Sequence, residues 1–269
     1  MDRKPIIKNI LDLAAKQIKR AYKIDYSPQL FGELEKSNII EKLNISVKKN
    51  DVFKKRQFNS IYELNVYRNF LYYLVRIVKP EKIIETGVFH GLTSMWILKA
   101  LEDNNYGKLV SIDLPRRDWN KFFPNKKMGA GHQSEEELPE NQDPGWLIPE
   151  DLRSRWELLI GPSESLLENE VKKSRVDFFI HDSDHSFKTM KFEIETILNY
   201  NRKSFIAVDN YDHSKFIYQL LAKDDFTYAF INELDEFNDI FPRFAILKKG
   251  FIETSEDRWQ AQLKERKKS

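Results

Sequence analysis

Polar residues or glycines follow each of five apolar segments that the sequence predicts as β-strands. In open parallel sheets, ligands bind beyond the carboxyl ends of the strands. Carboxylates, imidazoles and glycines repeated at that edge therefore predict one functional site rather than scattered surface polarity. The residues at the five strand ends are Glu85, Asp113, Gly161, the run His181-Asp182-Ser183-Asp184-His185, and Asp209-Asn210.

The first strand end is a glycine turn, Glu85-Thr86-Gly87-Val88-Phe89-His90-Gly91, which leads into a helix. Glycine adopts positive φ and lets a ligand approach the backbone closely. The turn, including Val88 and Phe89, is therefore typical of a nucleotide-sized cradle. Glycines that serve only strand–helix packing are the alternative. Asp113 favours the cradle, because a carboxylate at the end of the next strand would accept both hydroxyls of a ribose.

The run 181–185 and the pair Asp209-Asn210 end two further strands of the sheet. The carboxyl ends of adjacent strands lie about 5–10 Å apart. Oxygen atoms of Asp182 or Asp184, together with those of Asp209 and Asn210, would suit Mg²⁺, Mn²⁺ or Ca²⁺. This is a metal-binding interpretation of the strand ends.

Two other interpretations of the same run do not require a metal. In the first, His185 is a general base, because the ordinary pKa of imidazole lies near neutrality. In the second, Asp182 caps the following helix and His185 only forms a hydrogen bond within the loop. The residue types leave all three interpretations open.

Apolar strands alternate with helices along most of the chain, which predicts an α/β fold. We expect a Rossmann-like, doubly wound, mostly parallel seven-stranded sheet with an antiparallel C-terminal edge hairpin and an N-terminal helical extension. The predicted strands are Lys82–Glu85, Lys108–Asp113, Trp156–Ile160, Val176–His181, Ser204–Val208, Phe226–Ile231 and Arg243–Leu247. The predicted helices between them are Leu92–Leu101, Ser163–Lys172 (capped by Ser163), Phe187–Asn199 and His213–Lys223.

The predicted organisation has three parts. Residues 1–79 form a helical extension that packs on the core or covers it as a lid. Residues 80–250 form the ligand-binding domain, in which the long polar segment 114–149 is an insertion that determines specificity. Residues 251–269 form a charged tail. Within the extension, Pro5–Tyr22 and Ser60–Val78 are predicted helices, and residues 25–59 have an irregular, charged pattern.

Composition narrows the functional classes. Lysine plus arginine number 44 and aspartate plus glutamate number 42, so the net charge of +2 gives no global electrostatic case for binding nucleic acid. The chain has no cysteine, which excludes disulfides and thiolate metal sites and fits a reducing cytoplasm. No segment approaches the roughly 18 apolar residues of a membrane span. We expect a cytoplasmic protein that binds neither membranes nor nucleic acid.

Three motifs carry a resemblance to a known family. The glycine turn followed by Ser111-Ile112-Asp113-Leu114-Pro115 resembles the class I S-adenosylmethionine-dependent methyltransferases. The stretch from Phe178 to Glu193, with Gly145–Pro149 and Arg155-Trp156, is similar to the subgroup called methyltransferase family 24. The pair Asp209-Asn210 looks like the metal-binding pair of divalent-cation-dependent O-methyltransferases. The resemblance covers roughly residues 80–247.

The resemblance implies a role for each matching residue. Asp113 would hold the ribose, Ser163 would flank the adenine, and Asp182 would face the sulfonium and the acceptor. Asp182 and His185 would be the catalytic residues, and Asp182, Asp209 and Asn210 would be the ligands of a divalent cation such as Mg²⁺. The methionine end of S-adenosylmethionine would be lined by Glu85, Gly87, Val88, Phe89 and Gly91.

The implied function is methylation of a small molecule, most simply at a hydroxyl, with or without a divalent cation. Two other classes remain as alternatives. One is a binding module for S-adenosylmethionine or another nucleotide that performs no chemistry. The other is an NAD-dependent oxidoreductase, which normally needs the third glycine of Gly-x-Gly-x-x-Gly. A homodimer formed through the N-terminal helices is a further expectation.

Overall fold

A computed structural model describes residues 3–24, 27–50, 55–125, 127, 138–222, 226–235 and 237–250. Its centre is a seven-stranded sheet in the order β3-β2-β1-β4-β5-β7-β6, in which β1 to β5 are parallel and β7 is antiparallel to both neighbours. The strands are β1 (Lys82–Thr86), β2 (Lys108–Asp113), β3 (Trp156–Ile160), β4 (Phe178–His181), β5 (Phe205–Val208), β6 (Phe226–Leu234) and β7 (Ile240–Lys249).

Helices cover both faces of the sheet, as the sequence predicts. Alternate residues of the central strands enter two hydrophobic clusters, which is why β1, β4 and β5 are buried along their whole length. The helices are α1 (Lys4–Tyr22), α2 (Gln29–Lys36), α3 (Ile39–Lys48), α4 (Val66–Val78), α5 (Leu92–Asn104), α6 (Trp119–Phe122), α7 (Ser163–Lys173), α8 (Phe187–Tyr200) and α9 (Lys215–Leu221).

The extension shares one hydrophobic core with the sheet. The apolar face of α1 packs on β6 and α4, and Tyr22 donates a hydrogen bond to the carbonyl of Ile246 at 2.8 Å. The irregular pattern predicted over residues 25–59 is wrong for α2 and α3, which are short and bury only a few apolar residues each. The dimer contact stays a prediction. No helix in the described part of the chain is both long enough and apolar enough to cross a membrane.

Two predicted helix starts differ from the observed ones. Ser163 is the first residue of α7 rather than its cap, because the extended Pro162 precedes it. Ser60 caps only a short 3₁₀ turn at Ile61–Glu63, and α4 begins at Val66.

Glu233 explains where α4 begins. Its carboxylate accepts hydrogen bonds from the backbone N–H of Val66 (2.8 Å) and of Tyr67 (3.4 Å). These are N–H groups of the first helical turn, which have no partner within the helix. Glu233 lies beyond the predicted strand Phe226–Ile231, but β6 extends to Leu234 and Glu233 is buried within it.

Replacing Glu233 with alanine should lower the free energy of unfolding by about 1–2 kcal/mol, because α4 loses its capping acceptor. Urea unfolding monitored by circular dichroism measures the change. The matched control is Glu81→Ala, which removes an exposed carboxylate and should have little effect. Equal stability of the two variants would contradict the capping role.

Candidate active site

A cavity of about 950 Å³ lies at the carboxyl edge of the parallel strands. It is large for a small-molecule pocket, which typically measures about 300–1,000 Å³. Every residue to which the family resemblance assigns a role lines it except Glu85. Those that line it are Gly87, Val88, Phe89, Gly91, Asp113, Ser163, Asp182, His185, Asp209 and Asn210.

Gly87 and Gly91 hold the backbone of the turn between β1 and α5. Gly87 has φ of +82°, and a Cβ there would lie 2.0 Å from the carbonyl oxygen of Asp182. Gly91 has φ of +87°, and a Cβ there would lie 2.6 Å from the Cα of Gly145. Both positions therefore require glycine for the conformation and for close packing against the backbone.

Asp113 fixes the shape of this turn. Its Oδ2 accepts hydrogen bonds from the backbone N–H of Val88 at 2.6 Å and of Phe89 at 2.9 Å. The contact places the Asp113 carboxylate directly against the glycine turn, as expected from the order of β1 and β2. Asp113 is only partly buried and lines the cavity, so it also faces the space where a ligand would lie.

Glu85 lies beneath the cavity rather than on its wall. Its side chain is completely buried, and Oε2 accepts hydrogen bonds from the hydroxyls of Ser94 (2.6 Å) and Ser111 (2.7 Å). Glu85 therefore does not line the cavity in this structure, and its assignment to the methionine end stays a prediction. Burial raises the pKa of Glu85 to about 7, and the two serine hydroxyls offset only part of that effect.

The raised pKa of Glu85 predicts a pH-dependent stability. The native state binds this proton more tightly than the unfolded chain, so stability should decrease as pH rises from about 4.5 through about 7. Glu85→Gln should remove this loss and gain up to about 3 kcal/mol relative to the wild type across that range. Urea unfolding between about pH 5 and 8 tests this. Glu81→Gln is the control at an exposed position. If the free energy of unfolding changed with pH in the same way for the wild type and for Glu85→Gln, the raised pKa of Glu85 would be contradicted.

Asp182, His185 and Asp209 form a compact cluster that lines the cavity beside the glycine turn. One ligand-type atom from each residue lies within 4.8 Å of those of the other two. Burial, together with the neighbouring Asp209 carboxylate, raises the pKa of Asp182 well above its ordinary value. Thr93 donates a hydrogen bond to Asp182 at 3.3 Å. The two carboxylates are therefore close enough for the charge of one to disfavour ionisation of the other.

Arg243 pairs with both oxygens of Asp209. Its Nε donates to Oδ1 at 2.8 Å and Nη2 donates to Oδ2 at 3.0 Å. Although burial alone would raise it, this guanidinium holds the pKa of Asp209 below its ordinary value. A metal ion bound at Asp209 would therefore have to share it with a fixed cation, so the arrangement does not fit the ligand set Asp182, Asp209 and Asn210.

His185 is neutral at physiological pH. Burial, with a smaller contribution from the nearby His181 ring, lowers the pKa of His185 to about 4. Its Nε2 is buried and forms no hydrogen bond in the described structure. The His185 ring lies 5.5 Å from that of His181 and 5.8 Å from that of the exposed His213, measured between centroids. A neutral imidazole of this kind can accept a proton.

His181 does not reach the cavity, because it is fully buried and bonded to Glu193. Its Nδ1 lies 2.7 Å from Oε2 of Glu193, which also accepts a hydrogen bond from Thr86 at 2.6 Å. The other oxygen of Glu193 accepts a hydrogen bond from Ser183 at 3.0 Å. This buried network holds the end of β4 and the loop that carries Asp182. Ser186 caps α8, so the capping role considered for Asp182 is wrong.

The described parts of the insertion 114–149 form one wall of the cavity. Arg116, Arg117, Trp119 and Phe123 line it, whereas Phe122 does not. The ring of Trp119 lies 4.7 Å from that of Phe123. His132 and Glu135-Glu136-Glu137, which belong to the same predicted insertion, lie outside the described residues.

Trp146 contacts the glycine turn and does not line the cavity. Its indole donates a hydrogen bond to Nδ1 of His90 at 2.8 Å. The backbone N–H groups of Gly145 and Leu147 donate to the carbonyls of Phe89 (2.8 Å) and His90 (3.1 Å). The end of the insertion therefore braces the turn from outside.

Two arginines that line the cavity, Arg243 and Arg68, are not among the site residues that the sequence predicts. The position of Arg243 in the predicted strand order could have identified it as a site residue. An antiparallel strand begins at the edge where its parallel neighbours end, so a charged residue at the start of β7 is expected beside the end of β5. Arg68 carried no such signal, because it lies within the amphipathic pattern of α4.

Five parallel strands with an antiparallel β7 inserted next to β5 define the class I methyltransferase fold. An O-methyltransferase from Streptomyces achromogenes involved in tomaymycin synthesis, in complex with SAM, has the same fold at 14% identity. The alignment covers 93% of this chain and 99% of that one, with a TM-score of 0.52. Cofactor-bound Rv0187 from MTB matches at 12% identity over 79% and 90% of the two chains, also with a TM-score of 0.52.

Residues 84–211 match a family model described as a methyltransferase domain. This segment contains the glycine turn, Asp113 and the cluster of Asp182, His185 and Asp209. Residues 84–211 are therefore similar to a methyltransferase domain, and the sheet that carries them has the class I methyltransferase fold, which supports the resemblance recognised in the sequence. No curated protein sequence matches the chain.

Proposed function

We propose that the protein methylates a hydroxyl of a small molecule with S-adenosylmethionine. One observation carries this proposal: a single cavity joins the glycine turn and Asp113 to the cluster of Asp182, His185 and Asp209. A methyl donor and an acceptor must meet in one space, and the volume of this cavity is sufficient for two small ligands.

The cofactor lies along the glycine turn in this proposal. Gly87, Val88, Phe89 and Gly91 contact its methionine end, and Asp113 accepts the ribose hydroxyls. Ser163, at the start of α7, flanks the adenine. The close packing of Gly87 on the backbone of Asp182 supports the assignment, because it places the glycine turn directly beside the loop that carries Asp182.

The acceptor lies against Asp182 and His185. When bound, the cofactor supplies an electrophilic methyl group, whose bond to sulfur breaks as the acceptor oxygen bonds to it. His185 takes the proton of the acceptor hydroxyl, which its neutral state and unpaired Nε2 support. Asp182 orients the acceptor. The residues of the cavity hold the methyl donor and the acceptor together and exclude water. Such positioning can lower the activation barrier by about 7–11 kcal/mol in favourable cases.

The acceptor is an aromatic or anionic small molecule. Trp119 and Phe123 offer aromatic surfaces on the cavity wall, and the guanidinium groups of Arg116 and Arg117 line the same wall, where Arg117 also pairs with Asp143 at 2.6 Å. These four residues belong to the predicted specificity insertion. The net charge of +2 over the whole chain gives no support for a nucleic acid substrate.

Calorimetric titration with S-adenosylhomocysteine tests the cofactor assignment, with NAD as the control ligand. We expect micromolar binding of S-adenosylhomocysteine and none of NAD. Release of S-adenosylhomocysteine from S-adenosylmethionine in the presence of phenolic and carboxylic acceptors then tests the transfer. Binding without turnover of any hydroxyl compound, but with turnover of amines, would overturn the O-methylation assignment.

A further inference from the structure

Arg243 reaches the acidic cluster from a different part of the sheet. Strand β7 runs antiparallel to β5, with Val208 opposite Ala245, so the segment that precedes Ala245 extends past the carboxyl end of β5. Arg243 lies in that segment, beside Asp209. This arrangement places a guanidinium within a group of ligand atoms that would otherwise suit a hard divalent cation.

The guanidinium is held firmly in this position. It forms two parallel hydrogen bonds with Asp209, the geometry that makes arginine–carboxylate pairs strong. The Asp209 side chain is 3% exposed and that of Arg243 is 25% exposed. The guanidinium carbon also lies 5.3 Å from the centroid of the Tyr67 ring, which stacks on Phe244 at 5.1 Å.

We propose that Arg243 takes the place of a divalent cation in this site, so that methyl transfer is independent of metal. The inference deepens the proposed function and rests on it where catalysis is concerned. The argument is the pairing of both Asp209 oxygens with a permanent positive charge. A second cation at Asp209 would meet repulsion from Arg243 in a partly buried site, where solvent screens charge weakly.

The acidic cluster contains its own positive charge and does not need a metal ion to supply one. Arg243 pairs with both oxygens of Asp209, and the ligand-type atoms of Asp182 and Asp209 lie within 4.8 Å of each other. A divalent cation would require both carboxylates to be ionised and the guanidinium to be displaced. Arg243 thus supplies a positive charge at the position where a metal would bring one, and in the proposed function it leaves His185 as the group that removes the proton from the acceptor hydroxyl.

Electron paramagnetic resonance of added Mn²⁺, without cofactor or acceptor, tests the proposal directly. Free Mn²⁺ has a strong signal that decreases when the ion binds. We expect the wild-type protein to leave the signal unchanged at micromolar Mn²⁺. The variant Arg243→Leu should bind Mn²⁺ at least about tenfold more tightly, and adding Asp209→Asn to it should abolish that gain. Arg243→Gln replaces the leucine variant if the latter does not fold.

Two controls distinguish failure of the Arg243 proposal from failure of the proposed function. Arg117→Leu removes an arginine from the same cavity but leaves the Asp209 pair intact, so it should not gain Mn²⁺ binding. Micromolar Mn²⁺ binding by the wild type that Asp209→Asn abolishes would overturn the proposal, as would a folded Arg243 variant without any gain. Titration of the same samples with S-adenosylhomocysteine tests the proposed function separately, because Mn²⁺ binding is measured without cofactor.

Discussion

Replacing Asp113 with alanine is expected to weaken the binding of S-adenosylhomocysteine by about 100-fold, or about 2.7 kcal/mol. The carboxylate has two tasks that alanine cannot perform. It accepts the backbone N–H groups of Val88 and Phe89, which shapes the glycine turn, and in the proposed function it accepts the ribose hydroxyls. Hydrogen bonds to a charged acceptor contribute about 1.5–3 kcal/mol each. Isothermal titration calorimetry measures the loss.

Asparagine at position 113 distinguishes the hydrogen bonds to the glycine turn from the proposed contact with the ribose. Asp113→Asn retains one oxygen, which can still accept the two backbone N–H groups, but it loses the second acceptor and the charge. We expect an intermediate loss of affinity. Asp239→Ala, at an exposed position in the connection between β6 and β7, serves as the control for loss of an aspartate. Wild-type affinity of Asp113→Asn would contradict the ribose contact and leave Asp113 as a residue that only shapes the turn.

Replacing His185 with glutamine is expected to lower kcat by about 100- to 10,000-fold, because the acceptor hydroxyl loses its base. The affinity for S-adenosylhomocysteine should remain within about twofold of the wild type, since the glycine turn and Asp113 are unchanged. Steady-state kinetics with an identified acceptor and calorimetry of the same samples provide the two measurements.

His213 offers a matched control for this experiment. Its ring lies 5.8 Å from that of His185, but it is exposed and does not line the cavity. His213→Gln should therefore keep kcat within about threefold of the wild type. A base role for His185 would be excluded by a His185→Gln variant that retains more than about one tenth of the wild-type kcat.

The sequence alone predicted the architecture and most of the cavity wall. Strand period, apolar strand bodies and glycine at a tight turn are local signals, and β2 and β3 have the predicted bounds. The rule that parallel strands end at one edge then brought Gly87, Asp113, Asp182 and Asp209 together without further information. These residues were found because chain order and sheet order place them there.

The tertiary structure decided what these groups can do. Arg243 is 34 residues from Asp209, and only the insertion of β7 between β5 and β6 brings them into contact. Glu85 sits at a strand end yet lies beneath the cavity, because α5 supplies Ser94 and β2 supplies Ser111 to bury it. Glu233 resembles a loop acid but caps α4, which is distant in sequence. Charge pairing and desolvation depend on neighbours in space, and no local pattern specifies them.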